Sequence, residues 1–346
     1  MKNHSFSYEK ITENFKHLAL SPQDFKLLDK QNWVVLEKIH GANFSFILRE
    51  NNLQFAKRKE IIGLEDDFFG FQLVVEKLGI PLQKLFLYLK NQYACKTCIV
   101  YGELFGGAYP HPQVKPDTSV QAIQTGVFYA PSIEFVVFDM ALVDDNGQKT
   151  YFSYKEVMDL SQQFSILAIP PFHIGTLTEA LNFDIYRPSI IPSLLGLPPL
   201  PQENLIEGIV IKPMNDFTLK ADNETIRPIL KIKNPRFKED ESYYQAQKWS
   251  FDWANKGSSD WLKILEDELS NLLNINRLNS AISKIGALDK NNQNRINITL
   301  QLVWEDILES FAEKFPNIWP DLAEKEQIQL KNKLELKILA LIYQKN

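Results

Sequence analysis

A change in hydrophobic period near residue 240 constrains this chain more than any other feature. From Trp33 to Lys233, short runs rich in β-branched and aromatic residues recur between turn formers, among them Trp33 to Leu36, Cys98 to Leu104, Ile133 to Met140, Gly208 to Ile211 and Ile229 to Lys233. Runs of this length and composition form strands. Beyond about Asp240 the apolar residues return at three- and four-residue steps instead. Trp261, Leu265, Leu269 and Leu272 form one stripe, Leu300, Val303, Ile307, Phe311 and Phe315 a second, and Leu330, Leu334, Ile338 and Leu341 a third. That spacing lines one face of a helix. The expected fold is α+β: a mixed sheet domain over residues 1–240, then an all-helical C-terminal domain over residues 241–346. Pro316 and Pro320 are expected to part the last two helices. Two loops interrupt the sheet domain, Gly106 to Thr118 and Arg187 to Pro201, and five prolines in the second argue against regular helix or central strand there.

With 346 residues, 45% of them hydrophobic, the chain can bury a large core without covalent staples. A formal charge of -5 argues against wholesale coating by a polyanion, so any nucleic-acid surface must be a local basic patch. Cys95 and Cys98 are the only cysteines. A closed zinc site needs four ligands, and no second pair or nearby His follows them, so they read as reduced, buried thiols in a cytoplasmic protein. No apolar run approaches membrane-spanning length. Glu9, Glu13 and the lack of arginine before Arg49 are unlike a transit peptide.

Within the strand-rich part, Glu37-Lys38-Ile39-His40-Gly41-Ala42-Asn43 places a lysine where one strand ends and another begins. Gly41 would let the backbone pass close to a ligand, and Asn43 can donate and accept hydrogen bonds there. Five further stretches supply partners. Ala56 to Lys59 carries Arg58 out of a strand, and Tyr101 to Gly107 places Glu103 between glycines at an expected strand end. Phe138 could lay its ring against a purine; Asp139 beside it is costly to bury alone, which directs that strand end towards a cleft. Glu207 and Lys212 flank a short apolar strand, and both can face one ligand only if Gly208 bends that strand or Glu207 precedes it. Lys231 and Lys233 share one strand face.

Together these residues suit attack by a lysine amine on a nucleoside triphosphate. The amine must lose its proton first, and the cations Lys212, Lys231, Lys233 and Arg58 would disfavour a charged Lys38 while neutralising phosphates.

The order and spacing of the motifs resemble the covalent lysine nucleotidyltransferase superfamily, and within it the RNA ligase 2 family, whose ATP-dependent RNA ligases carry His rather than an acid two places after the lysine, as His40 is here. The resemblance covers roughly residues 30–240. It implies an ATP-grasp-like nucleotidyltransferase domain and a lysine-AMP intermediate on Lys38. Glu37, Ile39, His40, Asn43, Arg58 and Glu103 would surround the nucleotide, with Phe138 stacking on adenine. Glu207 and Asp139 are implied at a Mg²⁺ or Mn²⁺ ion, and Lys212, Lys231 and Lys233 at the phosphates. The implied partner is RNA, as a nicked duplex or ends held by a bridging strand, bound by a monomer. Arg227, Arg236 and Lys238 form the candidate RNA-binding run. A capping-type guanylyltransferase, a DNA ligase, or an inactive nucleic-acid-binding module are the competing readings. The first two usually append a β-patterned domain after the last lysine motif, where this chain continues in helical stripes.

Overall fold

The computed structural model describes residues 6–9, 11–15, 20–49, 52–93, 95–221, 224–237, 249, 259–286, 288, 292–314 and 318–344. The chain forms two compact units, residues 1–62 with 67–251, and residues 63–66 with 252–346.

In the first unit, helix α1 (Pro22–Leu28) opens with a capping box between Ser21 and Asp24, which satisfies backbone donors at its start. Strands β1 (Trp33–Glu37), β2 (Ala42–Arg49), β3 (Asn52–Lys57) and β4 (Glu60–Ile62) lead into the long helix α2 (Phe71–Tyr93), followed by β5 (Thr97–Ala108) and β6 (Ala130–Val143). Next come β7 (Lys149–Tyr151), α3 (Tyr154–Gln163), β8 (His173–Gly175), α4 (Leu177–Leu181) and α5 (Ile191–Leu194). Strands β9 (Gly208–Pro213), β10 (Leu219–Ala221), β11 (Glu224–Ile226) and β12 (Leu230–Lys233) complete the unit.

Two antiparallel sheets carry the fold, one in the order β4-β3-β2-β5-β6-β7 and one in the order β12-β9-β1-β8. Strand β1 is the hinge of sequence between them: it lies in the four-stranded sheet, while β2, four residues on, lies in the six-stranded one. The turn from Lys38 to Gly41 therefore passes from sheet to sheet. All five residues of β1 are buried, as are Phe44 to Ile47 of β2 on both faces. One face of β2 meets Phe71 of α2 and the other a cluster of Phe6, Tyr101 and Tyr151, which buries both sides. Phe44 and Phe46 pack among Phe55, Phe71 and Phe135.

Two local expectations need correction, and one element is new. Glu103 is not at a strand end: β5 runs on through Gly106 and Gly107 to Ala108, tolerating their positive φ values at a register shift against β6. The proline-rich loop contains the one-turn helix α5, with a proline in its first turn, where a missing N–H leaves no bond unmade. Helix α2 carries Pro81 in its interior and was not anticipated.

The second unit contains α6 (Ser259–Leu272), α7 (Ile275–Ile285), α8 (Gln293–Lys314), α9 (Ile318–Asp321) and α10 (Glu324–Gln344). Its core joins Leu265, Leu269, Leu278, Val303, Ile307, Phe311, Leu330, Leu334 and Ile338. Ile342, not the expected Leu341, completes the last stripe and is fully buried, keeping a four-residue step along α10. Phe315, Pro316 and the side chain of Trp261 lie outside the described residues; Pro320 falls within the one-turn α9 that parts α8 from α10. Among the described residues no helix is long and apolar enough to cross a membrane.

Candidate active site

Lys38 stands at the end of β1, and its position is fixed by the strand next door. Its backbone N–H donates to the carbonyl of Gly208 at 2.9 Å, extending the β1–β9 ladder by one bond. A Cβ at Gly208 would lie 2.1 Å from the carbonyl oxygen of Ile232 in β12, so only glycine lets β9 and β12 approach there. Gly41 has the same purpose. A Cβ there would lie 2.0 Å from the carbonyl oxygen of Leu104; what the glycine admits is strand β5, not the expected ligand.

The Lys38 ammonium donates to Oε2 of Glu207 at 2.5 Å, and Nδ1 of His40 lies 3.3 Å from the same oxygen. Lys233 approaches the other oxygen at 3.9 Å. The structure answers the open question about β9: Glu207 precedes the strand, its carbonyl accepts from Asn234 at 2.8 Å, and its side chain reaches Lys38. The backbone N–H of His40 donates to the Tyr129 hydroxyl at 2.9 Å.

A cavity of about 280 Å³ opens beside this group. Glu37, Lys38, Ile39, Asn43, Arg58, Glu103, Phe138, Lys212 and Lys231 all line it, so residues from six separate stretches converge. Asn43 and Glu103 sit opposite each other in the β2–β5 ladder. Phe138 is half-buried, with its ring 4.9 Å from that of Tyr8.

Asp139 departs from its expected role as a metal ligand. It is fully buried within β6. Its Oδ2 accepts from the Tyr8 hydroxyl at 2.8 Å, from Lys212 at 2.7 Å and from Arg227 at 3.0 Å, while Oδ1 accepts from the Met140 N–H at 3.2 Å. Two cations already neutralise the carboxylate and none of its surface is exposed, which leaves it unsuited to a metal ion. Arg227 is corrected with it: the guanidinium also binds Asp216 at 3.1 Å and lies 3.4 Å from the centre of the Tyr151 ring. With 8% of its side chain exposed, it cannot grip RNA. Arg236 is exposed and pairs with Glu203 at 2.9 Å; Lys238 lies outside the described residues.

The electrostatics separate the carboxylates. Burial raises Glu103 to about 8, against the pull of Lys38 and Arg58, with Glu207 adding to the rise. Burial likewise raises Glu37 to about 7, despite hydrogen bonds from Ser189 and Ile190 and the charge of Arg187. For Glu207 burial also opposes ionisation, but the hydrogen bonds and charges of His40 and Lys38 outweigh it and hold the acid below its ordinary range. Asp139 is held low in the same way by Lys212 and Arg227. Of the cations expected to crowd Lys38, Lys212 pairs with Asp139 and Lys231 with Glu13 at 3.4 Å, while Lys233 shares the Glu207 carboxylate with Lys38. The charge nearest the Lys38 amine is a carboxylate.

Sequence reasoning missed Tyr8, Glu9 and Ile11, which line the cavity, and Tyr129. The N-terminal segment reaches the site because Thr12 bridges to Leu230 and exchanges backbone bonds with Ile229 and Lys231. No periodicity announced that segment as structured. Cys95 and Cys98 are free thiols with Sγ atoms 2.9 Å apart, and among the described residues no cluster of three or more His, Cys, Asp or Glu could hold a metal.

Comparison with known proteins adds the following. The sequence model of the family described as RNA ligase matches residues 31–233, and that described as T4 RNA ligase 2 C-terminal matches residues 256–339. The mitochondrial RNA-editing ligase 1 of Trypanosoma brucei brucei is 30% identical over 240 residues, covering 61% of this chain and 51% of the relative. The mitochondrial RNA-editing ligase 2 of the same organism is 31% identical over 204 residues, covering 53% and 49%. The chain spans about half the length of these relatives. A solved structure of a mutant Naegleria gruberi RNA ligase with ATP and Mn is similar at 16% identity and a TM-score of 0.43, covering 68% of this chain and 59% of that one.

Proposed function

This chain belongs to the RNA ligase family, and from that membership and the site geometry we propose that it is an ATP-dependent RNA ligase acting through Lys38. The observation that carries the reading is the Lys38 amine at the wall of a nucleotide-sized cavity, hydrogen-bonded to a buried Glu207 and surrounded by residues of five other stretches.

In the first step the unprotonated Lys38 nitrogen attacks the α-phosphorus of ATP. A P–N bond forms, the bond to the bridging oxygen breaks, and pyrophosphate leaves. Glu207 holds the amine in place and is the nearest group able to receive its proton. In the second step an RNA 5′-phosphate oxygen attacks the same phosphorus and releases Lys38, leaving a 5′-5′ pyrophosphate linkage. In the third a 3′-hydroxyl attacks the RNA phosphate, closes the strand and expels AMP. Each transfer depends on positioning and charge stabilisation more than on covalent help from the protein.

Phe138 is placed to stack on the base, and Lys231 and Arg58 to meet phosphates from the cavity wall. Glu37 favours adenine. One of its oxygens is buried without a partner among the described residues, and adenine offers an exocyclic amine where guanine has a carbonyl. The carboxylates of Glu207 and Glu103, the first close enough to raise the proton affinity of the second, fit a Mg²⁺ or Mn²⁺ ion that keeps most of its ligands as water and phosphate oxygens. Such an ion would neutralise charge on the phosphates. RNA as a nicked or bridged duplex, a monomeric state and a reducing, cytoplasmic setting for the free thiols complete the proposal.

Sealing assays test it. Nicked duplexes with RNA at the 3′-hydroxyl end should be closed with ATP and Mg²⁺, and the same nick with DNA at that end much more slowly. Equal sealing of both would favour a DNA ligase, and covalent labelling by GTP alone a capping enzyme.

A further inference from the structure

The segment from Arg187 to Ile206 folds back on itself beside the nucleophile. Ser189 N–H donates to the Asn204 carbonyl at 2.9 Å, Ile206 N–H donates to the Arg187 carbonyl at 3.0 Å, and Pro188 and Leu205 form an antiparallel bridge. Its outgoing arm leads directly into Glu207. Its incoming arm caps Glu37: Ile190 N–H donates to Oε2 at 3.0 Å, and the neighbouring Ser189 hydroxyl favours the charged form of the same carboxylate. Ser189 Oγ in turn accepts from the Ile191 N–H at 3.3 Å, which orients the hydroxyl. The Arg187 guanidinium packs on the rings of Phe172 and Phe183, 4.7 and 4.9 Å from their centres. Phe172 is tied by its N–H to the Val35 carbonyl of β1 at 2.7 Å. The clamp is thus braced against the strand that carries Glu37 and delivers Lys38.

We propose that the clamp, through the Ile190 N–H and the flanking side chains of Arg187 and Ser189, positions Glu37 by fixing one of its oxygens, so that the other is presented to the exocyclic amine of the adenine base. The proposal rests on the function given above. Glu37 is 1% exposed, and a carboxylate so deeply buried stays charged only with compensation. The titratable and charged groups facing it are Arg187 from the clamp, the Tyr129 phenol and Lys38, its neighbour in the chain. Arg187 and the hydroxyl of Ser189 both pull down a pKa that burial pushes up to about 7. Losing either leaves a larger share of Glu37 protonated at neutral pH. A protonated acid can donate to the guanine carbonyl, so base selectivity would loosen as well.

The test uses the full chain carrying Ser189→Ala, Arg187→Met or Arg187→Lys. Methionine keeps an apolar stem against Phe172 and Phe183, and lysine restores the charge. In protein labelled with ¹³C at the glutamate carboxyls, with the signal assigned by Glu37→Gln, Glu37 should titrate at higher pH in Ser189→Ala and Arg187→Met, and near the wild-type value in Arg187→Lys. The acid limb of Lys38 labelling by ATP should shift with it. At pH 7 KM for ATP should rise about twofold to fivefold, the fall in ionised fraction when a pKa of about 7 moves up by half to one pH unit. Single-turnover rates at saturating ATP should stay within about twofold, and the variants should recover at pH 9. A Glu37 titration unmoved in both variants, or a loss of labelling equal at every pH, would overturn the inference. Absence of any label in the wild-type protein would instead overturn the ligase reading, and the titration would then decide the clamp by itself.

Discussion

Two groups of charges lie within the same pair of sheets, and they are built differently. Around Asp139, one carboxylate receives Tyr8, Lys212 and Arg227, with the acid and both cations nearly or fully buried. Around Glu207, one carboxylate receives Lys38 and His40, but 22% of the Lys38 side chain is exposed towards a cavity. In the first group one carboxylate oxygen takes three donors and both cations are paired with carboxylates; in the second the lysine is held by a single carboxylate oxygen. Saturation and burial mark a structural cluster that joins four distant segments, whereas an incompletely buried lysine on a buried anion marks the reactive one. Charge alone would not have told them apart.

Removing each anion should break or sharpen that contrast. The largest stability effect is expected for Asp139→Ala, which strands two buried cations and should destabilise the protein by about 3–5 kcal/mol, read from denaturant unfolding. Glu207→Gln should lower stability by only about 1 kcal/mol, yet reduce the rate of Lys38 labelling by about 100-fold or more, the range for general acid–base groups. Equal stability losses in the two variants would erase the distinction.

Titration gives a smaller effect of known sign. The folded pKa of Glu103 is raised to about 8, so the folded state binds more protons than the unfolded state between about pH 4.5 and 8. Stability is therefore lost as pH rises through that window. Glu103→Gln should be more stable than the wild type at pH 9 and indistinguishable from it at pH 4, measured by thermal unfolding at both pH values. The smallest effect is expected at the surface. Arg236→Ala breaks an exposed pair and should change stability by less than about 1 kcal/mol, while reducing the salt dependence of RNA binding by about one charge.

Legibility followed chain distance. The turn at Lys38, the strand after Glu207 and the shared face of Lys231 and Lys233 depend on local pattern, and the sequence displayed them. The roles of Asp139 and Arg227 depend on partners up to 131 and 219 residues away, so each was read without the group that neutralises it. Asp139 was taken for a metal ligand and Arg227 for an RNA contact for that one reason. Gly41 was misjudged similarly, since the atom requiring it belongs to β5. Tyr8 and Glu9 had no periodic signal because a short extended segment added to a sheet edge shows little pattern of its own. The proline-rich segment read only as a loop because its prolines were legible and the bond from Ile190 to Glu37 was not.

The central claim is that Lys38, and not one of the other lysines around the cavity, takes the nucleotide. Incubation with α-labelled ATP and Mg²⁺, followed by denaturation and peptide mapping, tests it directly. One AMP per chain should be found on the peptide containing Lys38, stable to base and released by acid as expected for a P–N bond, and Lys38→Ala should carry none. Label that persists in Lys38→Ala, or that maps to Lys212, Lys231 or Lys233, would contradict the account.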